Sequence, residues 1–83
     1  MPFKIIWDEK AHDSLNKLEP SVSRRIVKKV EELSDNPFSK DIKRLKDYEY
    51  FRLRVGDYRI IFSIEKETII ILKVGHRKNI YNK

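Results

Sequence analysis

Three arginines sit at positions that a strand pair would bring together: Arg52 and Arg54 in Tyr50-Phe51-Arg52-Leu53-Arg54-Val55, and Arg59 in Tyr58-Arg59-Ile60-Ile61-Phe62. A guanidinium stays charged and presents a planar fork of N–H donors that fits phosphate oxygens two at a time. Gly56-Asp57, between the two runs, is a two-residue turn candidate, because glycine takes positive φ without a Cβ clash. Such a loop sets Val55 opposite Tyr58, Arg54 opposite Arg59 and Leu53 opposite Ile60, and opposed residues share a face. One face then reads Phe51, Leu53, Val55, Tyr58, Ile60, Phe62. The other reads Tyr48, Tyr50, Arg52, Arg54, Arg59, Ile61, Ser63, with no carboxylate among them. Like charges directly opposed destabilise a strand pair. Guanidinium charge gathered beside tyrosines suits a polyanion with stackable bases. A basic sheet face in a basic protein is the plainer alternative, and the pattern alone leaves both open.

The rest of the chain must position that face. Phe3–Trp7, rich in β-branched and aromatic residues, reads as a first strand. Asp8 is a candidate N-cap, and Ala11, Leu15 and Leu18 recur at helical spacing behind it. His12 lies beside that stripe as a partly buried surface residue. Pro20 suits the first position of a second helix. Val22, Ile26, Val30 and Leu33 form its apolar stripe, with Val27 at the flank. Arg24, Arg25, Lys28, Lys29, Glu31 and Glu32 cover the remainder as a solvated face, with Lys28 and Glu32 in mutual support at i, i+4. Asp35-Asn36-Pro37 stops the helix, which completes an αα-hairpin.

Ser39 to Asp47 reads as a polar connector. Its Lys43, Arg44 and Lys46 are candidates to guide a phosphate backbone, or are ordinary loop charges; Ile42 and Leu45 touch the core. Glu65-Lys66-Glu67 is the next turn. Thr68–Val74, apolar almost throughout, reads as a central strand covered on both faces. If Lys73 faces away from the helices, so do Gly75 and Arg77, which adds Arg77 to the arginine face. Helices segregated from a strand meander indicate an α+β fold: an N-terminal strand, then an αα-hairpin packed on one face of an antiparallel sheet that a three-strand meander completes.

Eighty-three residues make one domain, 1–83, with a core of marginal size and no cysteine to staple it. His12 and His76 lie too far apart in sequence for a metal-ligand spacing. The net charge of +6 favours nucleic acid or an acidic protein as partner. No apolar run approaches the ~20 residues that cross a bilayer, and Met1-Pro2-Phe3-Lys4 lacks the apolar segment of a secretory signal. The expectation is a cytoplasmic protein with no membrane partner.

The element order resembles the RelE/ParE superfamily of toxins from type II toxin–antitoxin systems, and the RelE branch most. The residues that carry the resemblance are Phe51-Arg52-Leu53-Arg54-Val55, Asp57-Tyr58-Arg59-Ile60-Ile61-Phe62, and Val74-Gly75-His76-Arg77 followed by Tyr81. It implies a toxin that enters the ribosomal A site and cuts mRNA by attack of a 2′-OH on the adjacent phosphate, leaving a cyclic phosphate. It also implies a RelB-like antitoxin partner that wraps the toxin. Arg52 and Arg54 fall where RelE toxins carry basic strand residues, most familiarly lysines. Arg59 matches the arginine of the next strand, Arg77 the one after the last strand, and Tyr81 the tyrosine of the tail.

That chemistry needs in-line geometry, stabilisation of the phosphorane charge, a base for the 2′-OH and an acid for the leaving oxygen. With a 2′-OH nucleophile no metal or other cofactor is required. Where the family pattern has lysine, an arginine cannot trade protons, so Arg52 and Arg54 are charge stabilisers. The proton then falls to Tyr81, which could also stack on a base, or to His76, since histidine is the side chain that changes charge near neutrality. A strand-end histidine that merely holds the tail is the equal alternative. Tyr50 is a further RNA-binding candidate, while Glu49 points to the apolar side. Two other functions stand beside RNA cleavage: a ParE-like toxin directed at DNA gyrase, and a non-catalytic RNA-binding domain.

Overall fold

The computed structural model describes residues 3–37, 42–45 and 50–76. Strand β1 (Lys4–Trp7) leads into α1 (Glu9–Asn16) and α2 (Pro20–Glu32), followed by β2 (Ile42–Arg44), β3 (Tyr50–Val55), β4 (Tyr58–Glu65) and β5 (Thr68–His76). Asp8 caps α1: its carboxylate accepts the Lys10 amide at 3.1 Å, which satisfies one of the helix's orphan N–H groups. Pro20 opens α2, as its fixed φ and missing N–H suit that position.

The strands form one five-stranded sheet in the order β1-β5-β4-β3-β2. The α+β arrangement expected from the sequence is present, with two differences. The sheet is mixed, because β1 lies parallel to β5 with Ile5 beside Ile69 and Trp7 beside Ile71. It also has a fifth strand: Ile42–Arg44, inside the expected connector, pairs antiparallel with β3. Backbone bonds fix β1 at both ends, from Lys4 N to Glu67 O and from Asp8 N to Ile71 O, each 2.8 Å. Phe3 is tied to the end of α2: its amide donates to Ser34 O at 2.8 Å and its carbonyl accepts the Ser34 hydroxyl at 2.9 Å.

The helices cover one face of this sheet. Ala11, Leu15, Ile26, Val30 and Leu33 pack with Leu53, Val55, Ile60, Phe62, Ile69, Ile71 and Val74 in a single buried cluster. Phe51 stacks on Phe62 with ring centroids 5.5 Å apart. His12, expected to be partly buried, is exposed, and its Nδ1 accepts from Asn16 Nδ2 at 3.4 Å. Ala11 and Leu15 alone of α1 are buried, so one position off the stripe already reaches solvent. On α2 the ion pair that forms is Lys29–Glu32 at 3.9 Å rather than one from Lys28. The helices do not cover β5 on both sides: Ile70 and Leu72, off the core face, are half-buried.

Candidate functional site

The β3–β4 hairpin has the register that a two-residue loop dictates: Val55 faces Tyr58, Arg54 faces Arg59, and Leu53 faces Ile60. Gly56 has φ +59. Positive φ at the first loop residue and not the second matches the turn type whose twist suits a hairpin. Opposed residues place their Cβ atoms about 5 Å apart, so Arg54 and Arg59 share one patch on the face away from the helices.

Lateral neighbours extend the patch. Lys43 on β2 lies beside Arg52, Arg52 beside Ile61, and Ile61 beside Lys73. Gly75 sits opposite Arg59, with no side chain to compete for the space. The register between β4 and β5 shifts at Ile61/Phe62: Ile61 pairs with Lys73 but Phe62 with Ile71. Leu72 is the extra residue, and a bulge of this kind re-aims the neighbouring side chains. It lets Ile69, Ile71 and Val74 all face the core while Lys73 and Gly75 join the arginine side. Tyr50, opposite Ser63, lies on the same side and is 41% exposed.

Arg59 differs from its neighbours in burial. It is 9% exposed, and its Nη1 donates long bonds to Gly56 O at 3.4 Å and Tyr58 O at 3.3 Å. Its Nε is buried with no hydrogen-bond partner. Among the described residues no carboxylate lies within ion-pair range of it. Arg59 is therefore not a side chain on an open surface, as the alternation suggested, but a nearly enclosed charge.

Other candidates separate. His76 pairs with Tyr58 and meets its ring edge-on at 5.4 Å. Tyr58 shares the face of Val55, so His76 stands across the sheet from Arg52, Arg54 and Arg59. Its placement is that of a strand-end packing residue. Arg44 pairs with Phe51 and so points to the helix side, whereas Lys43 points to the arginine side. Lys46, Tyr48, Glu49, Arg77 and Tyr81 lie outside the described residues.

Sequence reasoning set the charges of α2 aside as a solvated face. The structure brings Arg25, Lys28, Lys29 and Glu32 to a cleft of ≈ 670 Å³ that Arg54, Val55, Gly56, Asp57 and Arg59 close from the hairpin side. The available signal was the spacing of 25, 28, 29 and 32, a second helical stripe beside the apolar one.

Comparison with known proteins addresses what such a face belongs to. Residues 5–81 match the family model described as the ParE toxin of the type II toxin–antitoxin system parDE. The chain belongs to this RelE/ParE family of toxins. It is 34% identical to toxin RelE3 of Methanocaldococcus jannaschii, over 95% of this chain and 96% of that one. Toxin RelG of Mycobacterium tuberculosis is 32% identical across the full length of both. Among solved structures, the toxin–antitoxin complex RelBE2 of M. tuberculosis contains a chain that superposes with a TM-score of 0.83 at 29% identity, covering 93% of this chain and 100% of that one. The fold and the family thus agree with the RelE-like reading of the sequence. In this toxin the arginine patch lies on the sheet face away from the helices, and the cleft opens between α2 and the β3–β4 turn. No helix among the described residues is long and apolar enough to cross a membrane.

Proposed function

We propose that this toxin is a ribosome-dependent endoribonuclease that cuts mRNA in the A site. The observation that carries the reading is Arg59: a nearly buried guanidinium, beside Arg52 and Arg54, with no carboxylate among the described residues in ion-pair range of it. An enclosed charge without a counterion is unfavourable. A phosphate between the arginines supplies one.

In the reaction, the 2′-oxygen upstream of the cut attacks the adjacent phosphorus in line with the 5′-oxygen. The bond from phosphorus to the 5′-oxygen breaks, leaving a 2′,3′-cyclic phosphate and a 5′-hydroxyl. The phosphorane carries more charge on its equatorial oxygens than the ground state does. Fixed guanidinium donors aimed there favour the transition state selectively. Arg59 supplies the enclosed donor, and Arg52 and Arg54 the donors alongside it. Arg77 adds its charge to this clamp, and Tyr81 gives its phenolic proton to the departing 5′-oxygen and regains one from the 2′-hydroxyl, so that the proton lost by the nucleophile balances the one the leaving group gains. Tyr50 stacks on a base and Lys43 neutralises a neighbouring phosphate. The reaction needs no cofactor.

The partners in this reading are the ribosome, its message and a RelB-like antitoxin that covers the basic face, and the site of action is the cytoplasm. A cognate antitoxin fits the charge of the face, and similar solved chains come from RelB–RelE complexes. The ParE-like alternative, a gyrase-directed toxin, draws on the name of the matching family model. One experiment separates them: a cell-free translation reaction with primer extension on the message, run beside a DNA supercoiling assay. Codon-positioned cuts with normal supercoiling support the proposal. An intact message with blocked supercoiling supports the alternative.

A further inference from the structure

We propose that the cleft between α2 and the β3–β4 turn holds a second phosphate of the RNA strand, next to the one on the sheet arginines, and holds it without reading the base. This rests on the reading of the chain as an RNA-directed toxin. Five cations line the cleft, namely Arg25, Lys28, Lys29, Arg54 and Arg59, against the carboxylates of Glu32 and Asp57. Glu32 is already engaged with Lys29 at 3.9 Å. The excess positive charge faces a space of ≈ 670 Å³, large enough for a nucleotide-sized group rather than a single carboxylate.

Two features join the cleft to the arginine patch. Arg54 and Arg59 line the cleft and also belong to the sheet row that includes Gly75. Gly56 stands between the two arginine sets. Its carbonyl accepts from Arg59 Nη1, and a Cβ built on it would lie 3.2 Å from Arg25 Nη2. The missing side chain lets the Arg25 guanidinium lie against the turn that Arg59 holds from within. Arg59, whose buried Nε has no hydrogen-bond partner, lines both the patch and the cleft, so a strand held by it on the patch runs past the cleft mouth. A strand bound on the patch thus offers its neighbouring phosphate to Arg25 and Lys28. Val55 is the one apolar residue of the lining and no ring is present, so there is no platform for a base. Backbone contacts of this kind position a strand and carry no sequence information.

The test is binding of a ten-nucleotide oligouridine to the isolated toxin, followed by fluorescence anisotropy across a salt series. Each phosphate neutralised on a single strand contributes roughly 0.7 to the slope of log K against log salt. Arg25→Gln/Lys28→Gln should lower the slope by about 0.7, the share of one phosphate, and weaken binding several-fold, equally for oligoadenosine. Arg25→Lys/Lys28→Arg should restore it. The charge-matched control Lys10→Gln/Lys17→Gln, on and beside α1, should leave the slope as in the parent. An unchanged slope in the cleft variant overturns the proposal, as does an equal loss in the control. Tighter binding of an oligoglutamate peptide, with the cleft variant altering that binding alone, assigns the cleft to an acidic protein segment and also overturns it. A slope loss in a toxin that leaves message intact on ribosomes keeps the cleft assignment and defeats the cleavage reading. Cleavage with an unchanged slope does the reverse.

Discussion

Arg59 shows how a residue's neighbours set its role. A guanidinium that is 9% exposed, with an unpartnered Nε and no carboxylate in ion-pair range among the described residues, is a burden to the folded state in the absence of ligand. Even a buried ion pair is often replaced by well-packed apolar side chains at no cost or with a gain of about 1–4 kcal/mol, and an unpaired buried charge is costlier still. Arg59→Met should therefore melt at or above the parent in a thermal or urea unfolding series. A drop of ~2 kcal/mol or more would mean that the guanidinium packs favourably as it stands. His76 and Tyr81 divide in the opposite way. His76 lies across the sheet against Tyr58, so His76→Gln should cleave within a few-fold of the parent and lose roughly 0.5–1.5 kcal/mol of edge-to-face packing. Tyr81→Phe keeps the ring and removes the hydroxyl, and should lose about 10²–10⁴ in rate if that group moves the proton. Single-turnover rates that rank the two variants the other way would return the proton to His76.

At the scale of elements, the turns decide what can be read from the chain and what can be improved in it. The β4–β5 loop holds Lys66 at φ +58, a region that costs an L-residue with a Cβ about 1–2 kcal/mol. Lys66→Gly removes that strain, though glycine's freer unfolded state returns roughly 0.5–1 of it. The net gain should approach about 1 kcal/mol in urea melts, with cleavage unaltered, and a destabilised variant would refute the strain assignment. The Gly56-Asp57 hairpin was legible because a two-residue loop fixes register and register fixes faces. Its opposed pairs follow from the sequence alone. Strand β2 was not legible: Ile42-Lys43-Arg44 is too short for alternation to show and forms only by pairing with β3. The parallel pairing of β1 with β5 joins the first strand to the last, a contact that no local pattern encodes. The bulge at Leu72 is hidden for the same reason, since only the partner strand reveals an extra residue.

For the whole molecule, the layout is two-sided. Helices and apolar strand positions hold one face, which leaves the other free to carry Lys43, Arg52, Arg54, Arg59 and Lys73. The arginine half of this site could be read from alternation. For α2 the spacing of 25, 28, 29 and 32 marks a stripe but not what it faces, because which flank of a helix meets a hairpin tip depends on packing. On the proposed function, cleavage depends on the enclosed charge of Arg59, and folding does not. The most direct test is single-turnover cleavage on programmed ribosomes by the parent and Arg59→Met, with ribosome binding measured in parallel. Loss of one preorganised donor to a developing anion costs about 3–4 kcal/mol. Cleavage by the variant should therefore fall roughly 10²–10³-fold while binding to the ribosome persists. Cleavage at the parent rate, by a folded and ribosome-bound variant, would contradict the account.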